Sequence, residues 1–349
     1  MEKKIMRKKT IVGVFLFVAI FSTLAALASI YDLQVSQKLT AGHLTQGSYY
    51  ANRDFFFGLV LEAFGSFPIW IAIASFGAIL YTNAMNRTLF TYKKEISAKK
   101  DDTLTIIVAF IGICAVIGGI YFLFADTFKY FMKYAMNKPI AKTSAYYGVN
   151  IALSLIVSPL FVKYFENMDK DMIKSLKTIA WIIAVALVTR IFIEGIKLPI
   201  GRMRYRAMNS LSGVDNPFSY FTPWYVMNGG RELTDIFVAG QLGSIPTWEY
   251  GDACKSFPSG HTFAAGMSYV IICLPDIIKK WDNVVGRALC WIIPILFTGL
   301  VAISRIMVGA HYFSDVLFGG TIVFLGVMIG REIFIFKGAH FKCFMKDKE

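Results

Sequence analysis

Residues 304–335 read SRIMVGAHYFSDVLFGGTIVFLGVMIGREIFI. The stretch joins a polar head to an apolar run, at 312–335, long enough to cross a bilayer, for which about 20 apolar residues in helix suffice. His311 and Asp315 stand four apart, so at a helix start they share one face. An Asp bonded to one ring nitrogen of His sets its tautomer and leaves the other nitrogen free to attack. Arg305 just upstream brings a planar fork suited to phosphate or carboxylate oxygens.

Outward from this segment the same pattern repeats. Further apolar stretches lie near 11–30, 56–81, 104–124, 146–165, 176–196, 262–278 and 288–303, which predicts about eight spans. A mean hydropathy of +0.55 agrees with them. The expected fold is all-α, a polytopic membrane helix bundle forming one domain over 1–349. No internal repeat or low-complexity tract is visible. The first stretch follows Lys3, Lys4, Arg7, Lys8 and Lys9 and is longer than most signal-peptide cores, so an uncleaved anchor is expected.

The net charge of +13 does not point to nucleic acid, because no fold signature for it accompanies the charge. With the N-terminus inside, most of the 36 basic residues fall in cytoplasmic segments, including Arg87, Lys93, Lys94, Lys99 and Lys100, and then Arg331, Lys337, Lys342, Lys346 and Lys348. That asymmetry predicts cytoplasmic termini, although Lys129, Lys133, Lys138 and Lys142 fall on the outer side. The five cysteines, Cys114, Cys254, Cys273, Cys290 and Cys343, form no CxxC, so neither a disulfide framework nor a zinc site is indicated.

Two more motifs fall on the side of the membrane that holds His311. KLPIGRMR, from Lys197 to Arg204, follows the fifth stretch, and Pro258-Ser259-Gly260-His261 opens the sixth. Lys197 and Arg204 are further cations for a phosphate. Ser259 and Gly260 sit where a loop becomes a helix, where unpaired N–H groups favour an anion. His261 is a second imidazole, suited to protonating a leaving oxygen.

In this order the motifs resemble the type 2 phosphatidic acid phosphatase (PAP2) superfamily. Its pattern is Lys-x6-Arg-Pro, Pro-Ser-Gly-His, then Ser-Arg-x5-His-x3-Asp. The resemblance covers about 176–335, the phosphatase core, and leaves 1–175 as additional N-terminal spans. It implies His311 as nucleophile of a phosphohistidine, Asp315 as its orienting partner and His261 as general acid. It implies Lys197, Arg204, Ser259, Gly260 and Arg305 as phosphate ligands, and no metal or other cofactor. Tyr205 stands where the family has Pro, which puts the local turn in question. The implied activity is hydrolysis of a phosphoric ester or anhydride of a membrane lipid at the outer face of the cell membrane. Undecaprenyl diphosphate is the first candidate if the chain is bacterial, with phosphatidic acid, phosphatidylglycerol phosphate and lipid A phosphates beside it. A lipid phosphotransferase and a phosphatase of soluble esters would use the same residues.

Other residues have plainer expectations. Arg202 and Arg206 read as a basic cluster at the interface. Arg190 and Glu194 read as a pair within a span, Glu62 as a packed, hydrogen-bonded acid, and 127–142 as an interfacial segment. His43 and His340 carry no partner pattern.

Overall fold

The computed structural model describes residues 2–86, 98–136 and 143–342; Arg87, Lys93, Lys94, Lys138, Lys142, Cys343, Lys346 and Lys348 lie outside the described residues. Apolar chain in lipid has no water for its N–H and C=O groups, and helices satisfy them within one segment. The described chain is accordingly helical, without strands. It begins with α1 (Glu2–Thr40), α2 (Phe56–Phe64), α3 (Phe67–Met85), α4 (Ala98–Met136) and α5 (Ser144–Glu166). Next come α6 (Lys170–Val188), α7 (Arg190–Ile200), α8 (Tyr205–Ser210), α9 (Tyr250–Ala253) and α10 (Gly260–Gly266). The chain closes with α11 (Val284–Met307), α12 (Phe313–Phe334) and α13 (Ala339–Lys342). Lysines and aromatics at 127–132, expected in an interfacial segment, continue α4.

Among the described residues seven segments are long and apolar enough to cross a membrane: α1, α2 with α3, α4, α5, α6 with α7, α11 and α12. The stretch expected at 262–278 is not an α-helix of that kind. α10 has seven residues and gives way to a 3-10 helix over Met267–Asp276. Tighter winding gives more rise per residue, so these 17 residues still reach about 30 Å. Both ends are tied. Ser259 N–H donates to Asp315 O at 2.9 Å, while Asp276 pairs with Arg287 on α11 at 3.1 Å and Arg331 on α12 at 2.7 Å. The segment therefore runs the full depth of the bundle beside α11 and α12.

α1 runs antiparallel to α12. Phe17 stacks on Phe324, Phe21 meets Phe318, and Asp32 accepts from Ser314 N–H. The start of α1 and the end of α12 thus share one end of the bundle. The motif residues gather at the other.

One core lies between α3, α4, α6, α10 and α12, around Ile79, Val116, Ile182, Phe263 and Val323. α3 and α4 approach closely because small residues face each other; a Cβ on Gly77 would stand 2.4 Å from Gly112 O. Side chains such as Phe15, Phe110, Ile156 and Ile191 remain exposed around the bundle, as lipid-facing positions would be. A second core, with Met208, Leu233, Phe237 and Ile245, lies in the chain between α7 and α10, joined by Tyr49 from the link after α1. The long loop is therefore a folded cap over the motif end. Tyr205 belongs to it, at the first position of α8, stacked on Phe218 at 5.2 Å. That position also suits Pro, whose missing N–H has no intrahelical partner there, so the turn persists with Tyr.

Candidate active site

α7 places Lys197 in its last turn before ending at Gly201 in the left-handed region, φ 51°. Arg204 follows in extended backbone, pinned by its N–H to Ala253 O at 2.8 Å, and its guanidinium meets Asp252 at 2.7 Å. Ser259 caps α10, its Oγ accepting from Thr262 N–H, so Gly260 and His261 stand in the first turn. Arg305 lies in the last turn of α11, fully buried, with Nη1 2.9 Å from Glu62 Oε1. His311 follows in the link to α12.

Lys197, Arg204, Gly260, His261, Arg305 and His311 line one cavity of ≈ 470 Å³. Ser259 and Asp315 lie behind this wall. His311 Nδ1 is 2.6 Å from Ser256 O and 3.6 Å from Asp315 Oδ2. The carbonyl is the nearer acceptor, so the proton belongs on Nδ1 and Nε2 is left for the cavity. Asp315 acts one step back. Its Oδ2 accepts from Ser256 Oγ at 2.5 Å and from Tyr312 N–H at 2.8 Å, which holds the strand of chain carrying that carbonyl. Burial pushes the His311 pKa down to about 4, with Asp315 opposing and Arg204 and Arg305 reinforcing the shift. The ring is then neutral at pH 7. His261 Nε2 is buried without a hydrogen-bond partner among the described residues, and its ring meets Tyr130 edge-on at 5.1 Å.

Arg202 and Arg206 are not an interfacial cluster, contrary to the expectation from sequence. Both are buried, 0% and 1% exposed, because each has a carboxylate and aromatic faces to hold it. Arg202 pairs with Asp315 and Asp32 and lies over Tyr312 at 4.0 Å. Arg206 pairs with Glu249 at 3.5 Å, lies over Tyr49 and lines the cavity. Arg190 does pair with Glu194, at 2.5 Å, and also donates to Gly260 O at 3.1 Å. Glu62 is packed and paired as expected, with the addition that it faces the cavity.

Sequence reading missed Trp70 and Asp126 on the cavity wall and gave Lys129 and Tyr130, which also line it, only as part of the interfacial segment. Asp126 was signalled only as an acid in an apolar run. Among the described residues no three His, Cys, Asp or Glu side chains gather as a metal-ligand set.

Close packing supports the Ser259 turn. A Cβ on Gly319 would stand 2.4 Å from Ser259 O, so Gly319→Ala must push the 258–261 turn off α12. We expect kcat/KM for a phosphate ester to fall roughly 10²-fold, the effect of about 1 Å of misplacement; wild-type kinetics would show that the turn tolerates the shift.

Residues 179–341 match the family model described as the PAP2 superfamily. Lipid phosphate phosphatase 1 of Arabidopsis thaliana is 30% identical over 163 residues, 46% of this chain and 43% of the relative. The match thus spans less than half of either protein. No solved structure matches the chain.

Proposed function

We propose that this chain, whose residues 179–341 match the PAP2 superfamily model, hydrolyses a lipid phosphate or diphosphate through a phosphohistidine on His311. One observation carries the reading. The cavity that holds His261, His311 and the cations also has an apolar wall of Ile69, Ile73, Leu187 and Ala264. A phosphate fits the first part and a lipid chain the second. The similarity to a lipid phosphate phosphatase supports the same class.

The chemistry follows from the residue types. Lys197, Arg204 and Arg305 neutralise the non-bridging oxygens, whose charge shifts as the transition state forms. His311 Nε2 attacks phosphorus in line; the N–P bond forms as the bond to the lipid oxygen breaks. His261, protonated once the phosphate anion is bound beside it, gives its proton to that oxygen. Water then attacks the phosphohistidine, His261 takes its proton, and inorganic phosphate leaves. The cations supply the electrostatic stabilisation that a metal would otherwise give, so no metal is required. Undecaprenyl diphosphate is the first substrate to try, by family resemblance.

Phosphate release by purified protein from a panel of lipid phosphates and soluble sugar phosphates tests the reading. Lipid phosphates should be preferred, vanadate should compete with them, and EDTA should leave the rate unchanged. Preference for glucose 6-phosphate, or a loss in EDTA restored by a divalent metal, would overturn the corresponding part.

The site lies at the end of the bundle opposite the start of α1, and the Lys/Arg asymmetry favours that start in the cytoplasm. The active site then faces outward. Asp215→Cys on the cap and Lys337→Cys at the far end, both exposed positions, should differ in intact cells: an impermeant maleimide should label the first only. The reverse pattern would make this an inner-leaflet enzyme.

A further inference from the structure

Behind His311 lies a chain of charge that begins outside the PAP2 segment. Asp32, near the end of α1 and 3% exposed, receives Arg202 Nη2 at 2.9 Å. The other arm of the same guanidinium, Nη1, donates to Asp315 Oδ1 at 2.7 Å. Asp315 Oδ2 receives Ser256 Oγ, and Ser256 O receives His311 Nδ1–H. Asp32 Oδ1 also accepts Ser314 N–H at 2.8 Å, in the first turn of α12, where backbone N–H groups lack helical partners.

We propose that Asp32 is a positioning residue for the reaction: by holding one arm of Arg202 it aims the other at Asp315, and so sets the Ser256 carbonyl that orients His311. The proposal rests on His311 as the nucleophile. Two features favour a positioning role over simple attachment of α1 to the bundle. Arg202 is wholly buried, between Phe221 and Tyr312, so it has no solvent with which to replace a lost partner. A planar fork anchored at one end has little freedom at the other. Without Asp32, the whole charge of Arg202 falls on Asp315, and the guanidinium, left with Thr222 O and Ser314 Oγ as its other acceptors, can turn and draw the carboxylate out of line with Ser256. α1 is thereby part of the active site, although it shares no segment with the family match.

The test is Asp32→Asn in the full-length protein in detergent. The amide still accepts from Ser314 N–H but no longer carries the charge that anchors Arg202. We expect kcat to fall roughly 10- to 100-fold, with KM and the vanadate inhibition constant within about threefold of wild type, because the phosphate cations are untouched. In an Asp315→Asn background the same change should cost nothing further, since residues acting through one another are not additive. An unchanged kcat, or equal losses in both backgrounds, would overturn the proposal; so would a loss confined to melting temperature. Should Asp32→Asn not fold, Arg202→Lys gives the same readout, as an ammonium keeps the charge without the two-armed geometry. Absence of turnover in the wild type on every lipid phosphate would instead count against the functional reading itself.

Discussion

His311→Ala abolishes both phosphate release and the trapped phosphoenzyme, if His311 is the nucleophile. Its ring is buried, its Nδ1 is committed to the Ser256 carbonyl, and alanine leaves nothing else at that place to take the phosphoryl group. Quench of a short reaction with ³²P-labelled lipid phosphate in alkaline detergent should label wild type in an acid-labile, alkali-stable bond and leave His311→Ala unlabelled. His261→Ala should still label, with both steps slowed roughly 10²–10⁴-fold, the usual worth of general acid–base help. Substantial turnover in His311→Ala would sink the assignment. The pH dependence carries a sign. Burial lowers the His311 pKa to about 4, so the ring stays unprotonated well below the ordinary histidine range. The acid limb of kcat/KM due to this group should fall near pH 4, not 6.5. For the same reason its contribution to stability is complete above the unfolded value of 6.5 and is lost as pH falls towards 4.

Much of this site could be read without coordinates because the motif residues flank membrane-crossing segments. A span that starts or ends beside a polar motif fixes which end of the bundle the motif occupies, and hydropathy finds spans well. Span parity brings Lys197, His261, Arg305 and His311 to one side of the membrane, the family resemblance joins them in one site, and they line one cavity. What hydropathy does not encode is winding. The stretch at 262–278 is as apolar as its neighbours, yet most of it is 3-10 helix. Nor does an irregular loop have a period from which a buried face can be read. Arg202, Arg204 and Arg206 alternate in KLPIGRMRYR like solvated charges. Their burial depends on partners far along the chain: Asp32, 170 residues from Arg202, and Glu249, 43 residues from Arg206. Pairing at such separations is a property of the tertiary fold. The acids themselves left a faint trace. Asp32, Glu62 and Asp126 each interrupt or end an apolar stretch, where a charge is costly unless paired or used. Two of them hold arginines of the site, and Asp126 accepts from Trp70 on the cavity wall at 2.9 Å.

Arg305→Ala should lose both activity and fold stability, and the two losses can be separated. Arg305 and Glu62 are each 1% exposed and 2.9 Å apart. Removing the guanidinium takes a cation from the transferred phosphate, for which we expect kcat/KM to fall by roughly 10³-fold or more, the scale of one lost electrostatic stabiliser. It also leaves the Glu62 carboxylate buried without its guanidinium, which costs about 3–5 kcal/mol in systems of this kind. Thermal unfolding in detergent should therefore shift downward together with the loss of rate. Replacing both partners by apolar residues of similar size, Arg305→Met with Glu62→Leu, removes the buried carboxylate together with the guanidinium and can restore stability. The double variant should thus regain most of the melting temperature and none of the activity. Recovery of turnover along with stability would show that Arg305 only braces α11 against α2. Glu62→Gln completes the set. It keeps the shape of the contact and leaves Arg305 with less competition for an anion, so vanadate should bind at least as tightly as in wild type, and a large drop in vanadate affinity would instead mean that Glu62 is needed to aim the guanidinium at the phosphate.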